Sequence, residues 1–191
     1  MLPDLRTARL CLQPATDADV DALWALFLDA DVRRFLWDDV RIARAQAAEA
    51  VEAWRAQAAE GLGAWTIHPR EGGGLLGCVA LVPVGAAAAF EPRLSGLVEP
   101  LVALWPAAWG RGYATEALER VLGYALEERG LPRLAAVVDV PNQASHALLA
   151  RLGFAAVGES EGPRYRLRCY ELSPGAFAAR PGRAAAGGPG A

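Results

Sequence analysis

Lysine is missing altogether: all nineteen basic residues of the 191-residue chain are arginine. Without lysine the protein cannot form a Schiff base, which excludes pyridoxal-phosphate chemistry, and it cannot build the phosphate loop that ends in Gly-Lys-Ser/Thr. Cysteine is scarce. Cys11, Cys78 and Cys169 stand far apart and in no CxxC spacing, so neither a disulfide framework nor a thiolate metal site is expected, and the three read as reduced, packed thiols. Histidine occurs only at His68 and His146. His146 directly follows Ser145, and consecutive helical residues point about 100° apart, so the two are not a nucleophile and its base; with only His68 besides, a Ser-His-acid hydrolase is not expected. No apolar run reaches the roughly 18 residues of a membrane span. The opening residues, MLPDLRTARL, carry acid and base in place of the uninterrupted apolar core of a signal peptide. A soluble, cytoplasmic protein with no membrane partner is the expectation. The formal charge is −3 with the arginines scattered, so the electrostatic footprint of a nucleic-acid binder is absent and no direct nucleic-acid partner is expected.

What is present suits one core-forming domain, since 53% of the residues are hydrophobic. Leu10 and Leu12 alternate with polar neighbours up to Pro14, a short strand. Thr16 and Asp19 resemble a capping box ahead of Val20, Leu23, Trp24, Phe27 and Leu28 at helical spacing. The alanine-rich run from Ile42 to Ala59 reads as a second helix. AWTIHP and LLGCVALVP flank the turn material REGGG, a β-hairpin, and residues 84 to 96 read as a loop. Leu97 to Leu104 form a strand containing Pro100, which cannot donate to a ladder, so irregular, bulged or absent pairing is expected there. A helix runs from Ala114 to near Gly130, RLAAVVDV is a buried strand, and a shorter helix opens at Pro141 and Asn142 and closes at Gly153. FAAVGES and RYRLRCYEL follow as strands. Trp37, Trp54 and Trp65 read as core. The Ala/Gly/Pro-rich end, residues 175–191, most plainly from Ala178 on, has little to bury and reads as a disordered tail after a domain of residues 5–174.

In GLVEPLVALWPAAWGRGYATEA a strand gives way to Gly110, Arg111 and Gly112 and then, within two or three residues, to a helix. A helix start offers unpaired N–H groups and the positive end of the macrodipole, and flanking glycines let a phosphate approach the backbone. The same pattern fits an ordinary strand-to-helix turn. A dinucleotide-binding turn would need GxGxxG, and position 115 is threonine.

The order strand, PAAWGRGYATEAL, long helix, strand, NQASHALLARLGF resembles the GNAT superfamily of N-acetyltransferases, in particular the branch with the Rim-type ribosomal-protein N-acetyltransferases. LRTARLCLQPATDADVDALWAL and FLWDDVRIARAQAAEAVEAW are similar to that branch's first strand and two helices, so the resemblance covers about residues 5 to 172. It implies an α/β (α+β) fold: a mixed twisted sheet of about seven strands, splayed between the fourth (Leu97 to Leu104) and fifth, with about four helices. It implies acetyl-CoA as cosubstrate and no metal. Backbone groups near Ala103 and Leu104 would then bond the pantetheine arm. The turn Trp109, Gly110, Arg111, Gly112, Tyr113, Ala114 and Thr115 would hold the pyrophosphate, with Trp109 standing where the general pattern has Arg or Gln. Asn142 and Ser145 match the branch's NxxS, as helix capping with cofactor contact. Glu99 aligns with the base, and Ser145 is a weaker candidate for the acid. The implied reaction is direct attack of an amine on the acetyl thioester. The expected acceptor is a protein or peptide N-terminal α-amine; the alternatives are a small-molecule amine of aminoglycoside or polyamine type, or an acetyl-CoA-binding regulatory module without catalysis. The chain would act as a monomer or homodimer.

Overall fold

The alternation around Leu10 and Leu12 builds the strand that the sequence predicts. In the computed structural model, which describes residues 1–85 and 91–180, strand β2 spans Leu10–Pro14 and fully buries both leucines. A two-residue strand, β1 (Leu5–Arg6), precedes it. Strands β3 (Gly63–Pro69), β4 (Gly77–Pro83) and β5 (Val98–Leu104) complete a five-stranded sheet in the order β1-β2-β3-β4-β5. The predicted hairpin is β3 with β4, antiparallel, with Trp65 opposite Val79. A second sheet holds β6 (Leu134–Asp139), β8 (Leu167–Leu172) and β7 (Ala155–Ser160) in the order β6-β8-β7, all antiparallel. The break between sheets falls between β5 and β6, where the resemblance puts the splay.

Among the described residues six α-helices accompany the sheets: α1 (Val20–Leu28), α2 (Ala30–Arg33), α3 (Arg44–Ala56), α4 (Tyr113–Gly123), α5 (Gln143–Arg151) and α6 (Pro174–Ala179). The fold class is the expected mixed α/β one. The counts exceed about seven strands and four helices because β1, α2 and α6 are short and carry little periodicity. Among the described residues no helix is long and apolar enough to cross a membrane.

The chain forms two compact units, Met1–Pro83 with Pro100–Tyr124, and Val84–Glu99 with Ala125 onward. In the first, Thr16 and Asp19 form the predicted capping box, the Thr16 N–H donating to Asp19 Oδ2 at 2.8 Å. Val20, Leu23, Leu26 and Phe27 of α1 pack with Ala47 and Val51 of α3 and Ala64 and Ala80 of the sheet. Trp37 and Trp54 flank Phe27 with ring centroids 6.0 and 6.5 Å away. Trp65 is fully buried, and its indole N–H donates to the Pro3 carbonyl. Helix α3 tightens after Ala56 into a 3₁₀ turn closed by Gly61 at φ 73°, so the predicted helix to Ala59 ends in altered geometry.

In the second unit the expected loop over 84 to 96 carries a 3₁₀ turn at Pro92–Leu94, whose Leu94 is fully buried with Val84, Ala135 and Cys169; residues 86 to 90 lie outside the described residues. The predicted helix from Ala114 changes to a π turn at Tyr124–Glu128, before Gly130 at φ 67°. The tail expected from residue 175 is corrected in its first part. Ser173 caps α6 through its hydroxyl, which accepts from Ala176 N–H, and Phe177 is fully buried. One aromatic with something to pack against outweighs the composition around it. Residues 181 to 191 lie outside the described residues.

Pro100 narrows the expectation of irregular, bulged or absent pairing. The Val84 N–H donates to the Leu97 carbonyl at 2.8 Å, and the Trp105 N–H to the Leu76 carbonyl at 2.9 Å. Both strands advance eight residues between these bonds, so no residue is inserted and no bulge is required. Alternation from either bond turns the peptide nitrogen of Pro100 away from β4. Because β5 is the last strand of its sheet, proline gives up no ladder bond there.

Candidate active site

Two glycines in the left-handed region make the turn into α4. Gly110 has φ 71° and Gly112, the residue at the helix N-cap, has φ 78°. Gly112 has no side chain with which to cap the helix. The first helical bond runs from the Glu116 N–H to the Gly112 carbonyl at 3.1 Å. The N–H groups of Tyr113, Ala114 and Thr115 therefore enter the helix without an intrahelical acceptor, at the positive end of its dipole. At Gly110 nothing among the described residues, its chain neighbours aside, lies within 4 Å of where a Cβ would stand. What the glycines supply is backbone conformation and open approach, and both suit an anion. Arg111 is exposed beside them.

Ahead of the turn, the Trp109 indole N–H donates to the Leu104 carbonyl at 2.8 Å while 48% of the residue stays exposed. This bond ties the loop to the end of β5. Gly77 of β4 presses against the same strand end: a Cβ there would stand 2.0 Å from the Ala103 carbonyl oxygen and 2.7 Å from Leu104 Cα. Ala103 thus turns its backbone toward β4. The alternation that frees Pro100 also directs the backbone groups of Val102 and Leu104 to the side of β5 away from β4. Val102, which sequence reasoning did not single out, replaces Ala103 among outward backbone groups; the parity of β5 against β4 was the missing signal. Cys78, buried at this point, has its thiol pushed up to about 12 by burial, which makes it inert.

Glu99 lies in the second unit. Its half-buried carboxyl is pushed up to about 7 by burial, against the opposing effect of backbone N–H groups of Gly85 and Val137 that bond to it. A carboxylic acid titrating near neutrality, and held by two donors, has the properties of a general base.

Asn142 caps α5, its Oδ1 accepting from the Ser145 N–H at 3.2 Å. The Ser145 hydroxyl makes no hydrogen bond among the described residues. His146 is fully employed: Nε2 donates to the Val140 carbonyl at 3.1 Å, so Nδ1 accepts from the Tyr170 hydroxyl at 2.7 Å. Trp109 through Thr115 thus stand with Leu104 in the first unit, and Glu99, Asn142 and Ser145 in the second. Among the described residues no group of three or more His, Cys, Asp or Glu could hold a metal ion.

Residues 9–155 match the family described as acetyltransferase (GNAT) domain. Over 159 residues the chain is 31% identical to an uncharacterized N-acetyltransferase, YoaA, of Bacillus subtilis (strain 168), covering 83% of this chain and 86% of that protein. RimL, the ribosomal L7/L12 alpha-N-protein acetyltransferase, solved in complex with coenzyme A, superposes with a TM-score of 0.72 at 16% identity, over 90% of this chain and 98% of its own. The spermidine N-acetyltransferase of Vibrio cholerae, solved with CoA and spermine, superposes with a TM-score of 0.70 at 16% identity, over 90% and 99% of the two chains.

Proposed function

Because this chain belongs to the acetyltransferase (GNAT) domain family, we propose that it transfers the acetyl group of acetyl-CoA to a primary amine, and that the preferred acceptor is the α-amine of a protein or peptide N-terminus. The uncapped first turn of α4 carries the cofactor assignment: three N–H groups without an intrahelical acceptor converge where two glycines leave the backbone open. When bound, acetyl-CoA supplies an acetyl thioester, an electrophile whose thiolate, with a pKa near 8.5, leaves with little help.

The residues then divide the tasks. Tyr113, Ala114 and Thr115 donate their N–H groups to the pyrophosphate, and Arg111 adds positive charge beside it. The outward backbone groups of Val102 and Leu104 bond the pantetheine arm, and the Leu104 N–H polarises the thioester carbonyl as negative charge develops. Asn142 holds the start of α5 so that the Ser145 hydroxyl can meet the cofactor. Glu99 takes the proton of the attacking amine.

The carboxyl of Glu99 also supports the acceptor class. A base near 7 deprotonates an α-ammonium of pKa about 7.7 to 8.0 at a cost of about 1 kcal/mol, whereas an alkylammonium near 10.4 costs about 4 to 5 kcal/mol. In this reading the protein acts in the cytoplasm, as a monomer or homodimer. A polyamine acceptor is the second reading, favoured by the likeness to the spermidine enzyme.

The test is thiol release from acetyl-CoA with an Ala- or Ser-starting peptide in competition with spermidine and an aminoglycoside. Preferred consumption of the peptide is expected. Preference for the small amines would replace the N-terminal reading, and tight CoA binding without turnover on any amine would leave a binding module.

A further inference from the structure

The turn between β1 and β2 reaches a helix more than a hundred residues away in sequence. From this turn the Thr7 hydroxyl donates to Glu116 Oε1 at 2.6 Å, and the Arg9 backbone N–H donates to the same oxygen at 2.8 Å. Arg9 Nε donates to Glu116 Oε2 at 2.6 Å, and its Nη1 to the Arg111 carbonyl at 3.0 Å. The guanidinium lies 4.8 Å from the Tyr113 ring centroid, and Nη2 stands 3.4 Å from where a Cβ on Gly112 would sit. Every one of these contacts falls on Arg111 to Glu116, the turn and first helical turn assigned to the pyrophosphate.

The arrangement contributes little as a surface ion pair. Arg9 is 50% exposed at its side chain, and exposed pairs are worth about 0 to 1 kcal/mol. Its geometric effect is larger. A planar fork that grips a carboxylate with one nitrogen and a loop carbonyl with another fixes the turn relative to the helix. The charge matters as well. Glu116 suits a helix N-terminus, but a bare carboxylate in the first turn opposes an incoming pyrophosphate. Burial alone would raise the Glu116 carboxyl; the Thr7 hydroxyl, the Arg9 N–H and the Arg9 guanidinium together hold it below the ordinary value.

We propose that Arg9, with Thr7, is a positioning residue for the phosphate-binding turn: it presets the backbone of Arg111 to Tyr113 and cancels the Glu116 charge before acetyl-CoA binds. This inference rests on the function proposed above. It is tested on the full chain by calorimetric titration with CoA and by steady-state kinetics with acetyl-CoA. Arg9→Ala is expected to raise the Kd for CoA and the KM for acetyl-CoA about tenfold, with kcat within about twofold. Adding Glu116→Gln to Arg9→Ala removes the bare carboxylate and is expected to recover most of the affinity. Thr7→Val, which spares Arg9, is expected to weaken CoA two- to threefold. Unchanged CoA affinity in Arg9→Ala, a matching loss of kcat, or no recovery in the double variant overturns the proposal. A wild-type chain that binds no CoA overturns the function on which it rests, and is distinguishable from all three.

Discussion

Replacing Glu99 by glutamine separates what this side chain does for activity from what it costs the fold. The folded-state value is about 7, against an ordinary 4.5, with burial as the main cause. In the folded protein Glu99 therefore holds its proton more tightly than in the unfolded chain. The native state binds the extra proton between these two values, so stability falls as pH rises through this window and levels off above 7. By pH 8 the ionised, half-buried carboxylate costs the native state at most about 3 kcal/mol, and at pH 5 less than about 1 kcal/mol. Glutamine carries no charge and its carbonyl can still accept from the Gly85 and Val137 N–H groups. Glu99→Gln should thus stabilise the protein by about 2 kcal/mol more at pH 8 than at pH 5, which for a chain of this size is a relative gain in Tm of roughly 4 to 8 °C. The same variant should lose about 10²- to 10⁴-fold in kcat with an N-terminal peptide, the usual worth of a general base. In the wild-type enzyme, kcat should rise with pH through an inflection near 7. Scanning calorimetry at the two pH values and a pH–rate profile make the check. An equal Tm difference at pH 5 and pH 8 would refute the burial argument, and full activity in Glu99→Gln would refute the base assignment.

Two further substitutions test the framework around the site. Gly77→Ala places a Cβ 2.0 Å from the Ala103 carbonyl oxygen, a backbone atom that cannot swing aside; a loss of about 3 kcal/mol or more in urea unfolding is expected, with weaker CoA binding as the end of β5 shifts. Phe177→Ala removes a fully buried ring and should cost about 3 to 5 kcal/mol in thermal or urea unfolding. A change below about 1 kcal/mol would mean that α6 does not belong to the folded domain.

The elements written in local pattern are legible in the sequence. The alternation of Leu10 and Leu12, the Thr16–Asp19 cap, the hairpin around the glycines after Pro69, and the run from two glycines into α4 each depend on residues a few positions apart. The candidate site was legible where it is local too, because Gly110, Gly112 and an uncapped helix start need no distant partner. What was misjudged depended on neighbours far along the chain. The composition around Phe177 suggests a tail, and only the core it enters makes it a helix. Pro100 suggests irregular, bulged or absent pairing, and only the parity of β5 against β4 shows that its missing N–H faces away.

The sequence by itself determined the family, through the order of motifs it shares with the GNAT superfamily, the fold class that this resemblance implies, and the glycine turn into α4, which is local. The tertiary structure alone decided the properties of the groups within that frame. Glu99 titrates near neutrality because folding removes it from water beside the β6 backbone, and Arg9 meets Glu116 because a turn at one end of the sequence is folded against a helix in its middle. Burial and long-range contact come from the folded chain as a whole, so no local pattern of residues encodes them.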